Sequence, residues 1–184
     1  SGIRAGSGLC GRHPACMIAD SIAVTDRVTN VVFAGLGGQG VLKASDILAR
    51  AAFAHGLDVK KSEIHGMSQR GGSVTSDVRF GGQVHSPMVP EGEADILVVL
   101  TPEEVNDNRH RLRAGGVLIT PAAIDENALP GKKSLNVALL GLLSRHLELP
   151  ESRWMEAIRA TLPDKILEPN VRAFAMGRAC RIAD

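Results

Sequence analysis

The residues best suited to chemistry lie in a glycine-rich segment that follows a short apolar strand. Gly35, Gly37 and Gly40 have the G-x-G-x-x-G spacing, between a strand predicted at Asn30–Ala34 and a helix predicted at Gly40–His55. Glycines permit a tight strand-to-helix turn and let a ligand approach the backbone, and free amides at a helix start favour a phosphate or a carboxylate. The segment therefore predicts either an anion-binding turn or a tight corner that binds no nucleotide.

A second polar segment, residues 65–72, follows the next predicted strand. The planar guanidinium of Arg70 suits a carboxylate or a phosphate, and His65 can donate or accept a hydrogen bond near neutral pH. In the alternative interpretation, Arg70 binds backbone carbonyls of its own loop and His65 packs against Met67. The two segments together contain the candidates for contact with a ligand or a partner subunit: Gly35, Gly37, Gly38, Gln39, Gly40, His65, Ser68, Gln69, Arg70, Gly71 and Gly72.

The glycine spacing also allows a different class of protein, a stand-alone NAD(P)- or FAD-binding module or dehydrogenase. Such a protein needs an acidic residue near the end of the second strand to hold the ribose hydroxyls. Glu63 occupies that position, but Lys60 and Lys61 crowd the same strand.

Strands and helices alternate along the chain, which favours an α/β fold. Further strands are predicted at residues 57–64, 74–80, 83–86, 95–100 and 117–120, and further helices at residues 138–147, 150–161 and 163–178, with one more beginning at Pro102 behind Thr101. A hairpin over Ser73–Ser86, turning at Gly81-Gly82, adds an antiparallel part. The prediction is a single-domain, doubly wound, Rossmann-like and mainly parallel sheet.

Acidic residues in two elements are explained by local structure. Alternating polarity places Asp77 on the opposite face of a half-exposed strand from Val78. Glu103 and Glu104 lie in the first turn of a predicted helix, where negative charge is favourable, so no chemistry is assigned to them.

Composition narrows the function classes. The chain of 184 residues is 44% hydrophobic and 22% charged, with a net charge of +1, which gives no electrostatic case for nucleic acid or an acidic membrane surface. No apolar run approaches the roughly 20 residues of a membrane span. Cys10, Cys16 and Cys180 match no zinc spacing, and an iron–sulfur cluster normally requires four thiolates. The sequence predicts a cytoplasmic protein without a metal or cofactor of its own.

The domain organisation is predicted to be simple. Residues 1–29 are rich in glycine, serine and alanine, which is typical of a mobile arm. Met17 is a candidate start, which would make residues 1–16 an addition to the native chain. Residues 30–184 then form one domain.

The motifs together resemble the gamma-type subunit or domain of the 2-oxoacid:ferredoxin oxidoreductases, and most closely the beta subunit of the indolepyruvate type. The resemblance extends from about residue 30 to residue 177. The segments that carry it are Gly37–Val41, Ser62–Gly66, His65–Val74, Ser76–Arg79, Glu93–Asp95, Asn136–Gly141 and Arg172–Phe174.

This resemblance implies an accessory subunit that contains no catalytic residue and is inactive alone. A larger subunit would carry thiamine diphosphate and iron–sulfur clusters, pass electrons to ferredoxin and use CoA as co-substrate. The CoA diphosphate would suit the turn at Gly37–Gly40, and the His65–Arg70 segment is like that of arylpyruvate enzymes. A homodimer is an alternative for the isolated chain.

Overall fold

The computed structural model describes residues 27–66, 71–131 and 133–180. Within these ranges, five strands and five α-helices follow one another in a mostly alternating order. The strands are β1 (Thr29–Leu36), β2 (Asp58–His65), β3 (Ser73–Gly81), β4 (Ala94–Val99) and β5 (Leu112–Ile119); the helices are α1 (Val41–Ala54), α2 (Val105–Asn108), α3 (Leu135–Leu143), α4 (Glu151–Thr161) and α5 (Asp164–Ala179). A 3₁₀ turn at Pro102–Glu104 leads into α2. β1 begins one residue before its predicted start, and the division at residue 29 stays a prediction.

The strands form one sheet in the order β2-β3-β1-β4-β5. β1 is parallel to β4, and β4 is parallel to β5, whereas β3 is antiparallel to both of its neighbours. Four strands therefore point in one direction and β3 alone opposes them. The predicted α/β fold with a mainly parallel sheet is confirmed. β2 points the same way as β1 but pairs only with β3, so its carboxyl end still lies at the same sheet edge as that of β1.

The predicted hairpin over Ser73–Ser86 is wrong. Residues 83–86 form no strand, because both edges of β3 are already occupied by β1 and β2. Side chains hold this segment instead: the Val84 amide donates to Asp58 Oδ2 at 2.7 Å, and Arg79 donates to the Ser86 carbonyl at 3.1 Å. The antiparallel part of the sheet is formed by β3, which pairs with β2 on one side and with β1 on the other.

Two hydrophobic clusters cover the two faces of the sheet. The larger contains Val31 and Phe33 of β1 with side chains from α1, α3, α4 and α5, including Trp154 and Phe174, whose ring centroids are 5.8 Å apart. The smaller contains Val32 of β1 with residues of β4, and the short α2 packs against it. The doubly wound arrangement therefore has unequal layers, with all four long helices on one face.

Helices α3 and α5 pack with almost no space between their backbones. A Cβ added at Gly177 would collide with the backbone oxygen of Ala138, and a Cβ added at Gly141 would collide with that of Phe174. Both glycines are needed for this close approach.

Gly177→Ala is expected to lower the free energy of unfolding by about 1–3 kcal/mol, the usual cost of overpacking a core. Urea denaturation of the purified chain measures this change. Ala175→Ser on the exposed side of the same helix is the control and is expected to change stability by less than about 0.5 kcal/mol. An unchanged midpoint for Gly177→Ala would show that α3 and α5 separate easily.

Candidate functional site

The glycine-rich segment forms a strand–turn–helix corner, as predicted. We call residues Gly35–Gly40 the glycine turn. Its backbone is left-handed at Gly38 (φ 93°) and at Gly40 (φ 85°), where glycine is strongly favoured. The Gln39 amide closes the turn by donating to the Leu36 carbonyl at 3.1 Å. The helix then begins at Val41 with Gly40 as its N-cap.

Two further amides of the glycine turn, besides that of Gln39, are already bonded within the protein. The Leu36 amide donates to Gln39 Oε1 at 2.8 Å, and the Gly37 amide donates to the Gly72 carbonyl at 2.9 Å. A Cβ added at Gly35 would come within 2.8 Å of the same Gln39 oxygen. The Gln39 side chain therefore stabilises the turn through its bond to the Leu36 amide. The spacing of the glycines did not predict this role.

The second polar segment lies directly against the glycine turn. His65 ends β2, and the Gly66 amide donates to the Ser73 carbonyl at 2.8 Å across the base of the segment. Gly71, which is left-handed with φ 73°, and Gly72 sit beside Gly37. The structure thus brings His65, Gly71 and Gly72 to the turn, while Ser68, Gln69 and Arg70 lie outside the described residues.

Two cavities border the glycine turn. One, of about 650 Å³, is lined by Leu36–Gly38, His65 and Gly66 among others. The other, of about 440 Å³, lies between the turn and the starts of α1 and α3, and we call it the lysine cleft. Besides Gly38 and Gly40, its lining contains the polar residues Gln39, Lys43, Lys133, Asn136 and Asn170.

The helix starts and lysines that line the lysine cleft make it electropositive. Two helices of 14 and 9 residues begin at it, and neither has an acidic residue in its first turn or a side-chain cap. Helix starts carry partial positive charge, and the exposed Lys43 and Lys133 add two full charges. None of the described residues that line the cleft is acidic. Asn136 joins the two helix starts, since its Nδ2 donates to the Gly40 carbonyl at 3.3 Å.

Glu103 and Glu104, in the turn after β4, differ in their surroundings. Thr101 makes no side-chain cap to the helical backbone; its hydroxyl donates to the exposed Glu103, which lowers the pKa of that carboxyl below its usual value. Glu104 is only 7% exposed, and its Oε2 accepts from Ser73 Oγ at 2.7 Å. The position in the first turn of a helix therefore accounts for the exposed Glu103 but not for the buried Glu104. The contact between Glu104 and Ser73 was not predicted from the sequence.

Glu63 is not free to hold a ribose. Lys61 Nζ lies 2.5 Å from Glu63 Oε1 and 2.5 Å from Asp46 Oδ1, so the carboxylate already has a cationic partner. Together with the bonded amides of the turn, this arrangement gives no support to the dinucleotide-binding alternative. Within the described ranges, no group of three or more His, Cys, Asp or Glu side chains could hold a metal ion.

Comparison with known proteins identifies the family of this chain. Residues 30–132, more than half of the chain, match the family described as pyruvate ferredoxin/flavodoxin oxidoreductase. The chain belongs to this family. It is 35% identical over 188 residues to the indolepyruvate oxidoreductase subunit IorB of Thermococcus kodakarensis, covering 80% of this chain and 93% of that protein.

Solved structures share the fold of this chain. The gamma subunit of a keto/oxoacid ferredoxin oxidoreductase from Geobacter sulfurreducens PCA superposes with a TM-score of 0.68 at 25% identity, covering 81% of this chain and 95% of that one. A 2-oxoglutarate:ferredoxin oxidoreductase from Magnetococcus marinus, solved with coenzyme A bound, has the same fold over 33% of its chain, with a TM-score of 0.73 at 19% identity.

The predicted role of accessory subunit in an oxidoreductase complex of this family is confirmed. The rival dehydrogenase prediction finds no support in these relatives. In the part of the chain that the structure describes, no helix is long and apolar enough to cross a membrane.

Proposed function

We propose that the chain is the accessory subunit of an oxidoreductase acting on indolepyruvate or a related arylpyruvate, and that its lysine cleft binds the phosphates of CoA. The observation that carries the proposal is the convergence of two uncapped helix starts and two lysines on one cavity, whose lining contains no acidic side chain among the described residues. The name of the similar Thermococcus subunit supports the choice of substrate.

CoA fits the charge of this cleft. Its diphosphate and 3′-phosphate need several donors and positive charges in a small space, which helix N-termini and lysines supply together. The glycine turn adds close access to the backbone, because no side chain projects from Gly38 or Gly40. The enzyme from Magnetococcus marinus, whose fold this chain shares, contains bound coenzyme A.

The chain itself supplies positioning and no reacting group in this proposal. Decarboxylation and electron transfer to ferredoxin would take place on thiamine diphosphate and iron–sulfur clusters of a larger partner subunit. The predicted contact residues of the glycine turn and of residues 65–72 would face CoA or that subunit. The isolated chain would then be colourless and inactive. We further expect a cytoplasmic location, and a homodimer is an alternative for the isolated chain.

Purification of the tagged chain from its native host tests the proposed assembly. We expect a larger subunit to accompany it, with iron and thiamine diphosphate measurable in the complex. Reduction of a dye by the isolated chain with indolepyruvate and CoA, after host proteins are removed, would contradict the accessory role.

Lys43→Ala combined with Lys133→Ala is expected to raise the KM for CoA of the assembled enzyme at least about tenfold, since even one bond to a charged group contributes about 1.5–3 kcal/mol and 1.4 kcal/mol is a factor of ten. The KM for the 2-oxoacid is expected to stay unchanged. Steady-state kinetics at low salt measures both, because salt screens exposed charges.

Lys60→Ala is the matched control for this double variant, since Lys60 lies on β2 and does not line the cleft. Its KM for CoA should equal that of the native complex. If the double variant also keeps the native KM, the lysine cleft is not the CoA site.

A further inference from the structure

One backbone hydrogen bond closes the base of the 66–73 segment, and a second ties this base to the glycine turn. Gly66 and Ser73 pair at 2.8 Å, and the Gly37 amide donates to the Gly72 carbonyl at 2.9 Å. The position of Gly72 therefore determines whether the Gly37 peptide is held in place. No side chain of the turn itself performs this task, because Gln39 is bonded to Leu36 instead.

A buried carboxylate anchors the residue next to Gly72. Glu104 Oε2 accepts from Ser73 Oγ at 2.7 Å and from Asn108 Nδ2 at 3.2 Å. Asn108 also donates to the Glu104 carbonyl at 2.9 Å, so a residue of α2 binds both the side chain and the backbone of the glutamate. Glu104 is only 7% exposed and Asn108 only 5%. Such burial is unusual for a glutamate that faces no cationic partner within hydrogen-bonding distance among the described residues.

We propose that Glu104 is a positioning residue for the glycine turn. Its carboxylate fixes Ser73, Ser73 fixes the adjoining Gly72 carbonyl, and that carbonyl holds the Gly37 amide. Gly37 adjoins Gly38, which lines the lysine cleft, so the backbone at this border of the cleft is set from the 3₁₀ turn that follows β4, through a residue that need not touch a ligand. The consequence for CoA rests on the proposed function, whereas the positioning itself does not.

Glutamine is the conservative replacement that separates positioning from charge. A glutamine side chain at 104 keeps one carbonyl oxygen that can accept from both Ser73 and Asn108. Alanine removes the side-chain acceptor, so the Ser73 hydroxyl loses this partner and Asn108 keeps only its bond to the backbone carbonyl of residue 104. The chain also offers a matched control one residue away: Glu103 is exposed and bonds to Thr101, not to the 66–73 segment.

Amide hydrogen exchange in the full-length chain, resolved by NMR, tests the positioning directly. Glu104→Ala and Ser73→Ala are each expected to speed exchange of the Gly37 amide about tenfold, because the local opening that frees it becomes easier. Glu104→Gln and Glu103→Ala are expected to stay near the native rate. Since Ser73 is exposed, Ser73→Ala keeps the test valid even if Glu104→Ala fails to fold. An unchanged Gly37 rate in Ser73→Ala overturns the proposal.

The KM for CoA of the assembled enzyme tests the link to function. We expect Glu104→Ala to raise it several-fold with little change in kcat, and Glu104→Gln to restore it. Faster Gly37 exchange with an unchanged KM for CoA would leave the positioning intact and contradict the CoA site in the lysine cleft. Native exchange together with a raised KM would overturn the positioning role alone.

Discussion

Arg111→Ala is expected to lower the free energy of unfolding by about 3–5 kcal/mol, the cost of breaking a buried ion pair by removing one partner. Arg111 Nη2 lies 2.8 Å from Asp77 Oδ2, and the two side chains are 13% and 2% exposed. The same oxygen accepts from the Val89 amide at 2.9 Å. Without Arg111, the Asp77 carboxylate would remain buried with one backbone amide as its partner and no counter-charge.

Urea denaturation measures the effect, and Arg172→Ala is the control. Arg172 pairs with Glu168 within α5, but these side chains are 68% and 76% exposed, so the loss should be below about 0.5 kcal/mol. The double variant Asp77→Asn with Arg111→Ala is expected to be less destabilised than the sum of the single variants. A loss below about 1 kcal/mol for Arg111→Ala would mean that water reaches Asp77.

Gly40→Ala is expected to destabilise the chain by about 2–4 kcal/mol. A left-handed backbone costs a residue with a Cβ roughly 1–2 kcal/mol, and crowding adds to it. The crowding comes from Asn136, whose Nδ2 occupies the space that a Cβ at Gly40 would need. The same substitution should weaken CoA binding by the assembled enzyme if the lysine cleft is the CoA site, since it displaces the bond between the two helix starts.

Gly38→Ala is the matched control because it isolates the backbone cost. Gly38 is also left-handed, but a Cβ added there meets no atom within 4 Å. We expect a loss of about 1–2 kcal/mol for Gly38→Ala in thermal or urea unfolding. Adding Asn136→Ala to Gly40→Ala should recover part of the larger loss, and equal losses for the two glycine variants would contradict the crowding.

Much of the architecture follows from patterns that are local in the sequence. The continuous apolar run of β4, and Pro150 and Pro163 immediately ahead of α4 and α5, place these elements within about two residues of their observed bounds. The glycine spacing likewise predicts the strand–turn–helix corner. Such features depend on backbone preferences and on residues that are close in the sequence. A short stretch of sequence therefore contains the information needed to predict them.

The surroundings of single side chains do not follow from such patterns. Alternation in β3 correctly separates Asp77 from Val78, but it cannot show that the 84–90 segment covers the face that carries Asp77. Asp77 is therefore buried where a half-exposed strand was predicted. The hairpin over Ser73–Ser86 fails for a related reason, since pairing of β3 with β1 depends on residues far away in the sequence.

The α/β fold, the glycine turn and the family can be predicted from the sequence, because each rests on a motif of consecutive or closely spaced residues. That Lys43 and Lys133 line one cleft, and that Glu104 binds Ser73, became visible only in the folded chain. These contacts depend on the order of the strands in the sheet. Placing β3 between β2 and β1, and β4 on the other side of β1, brings distant loops to one sheet edge, and no local preference encodes that order.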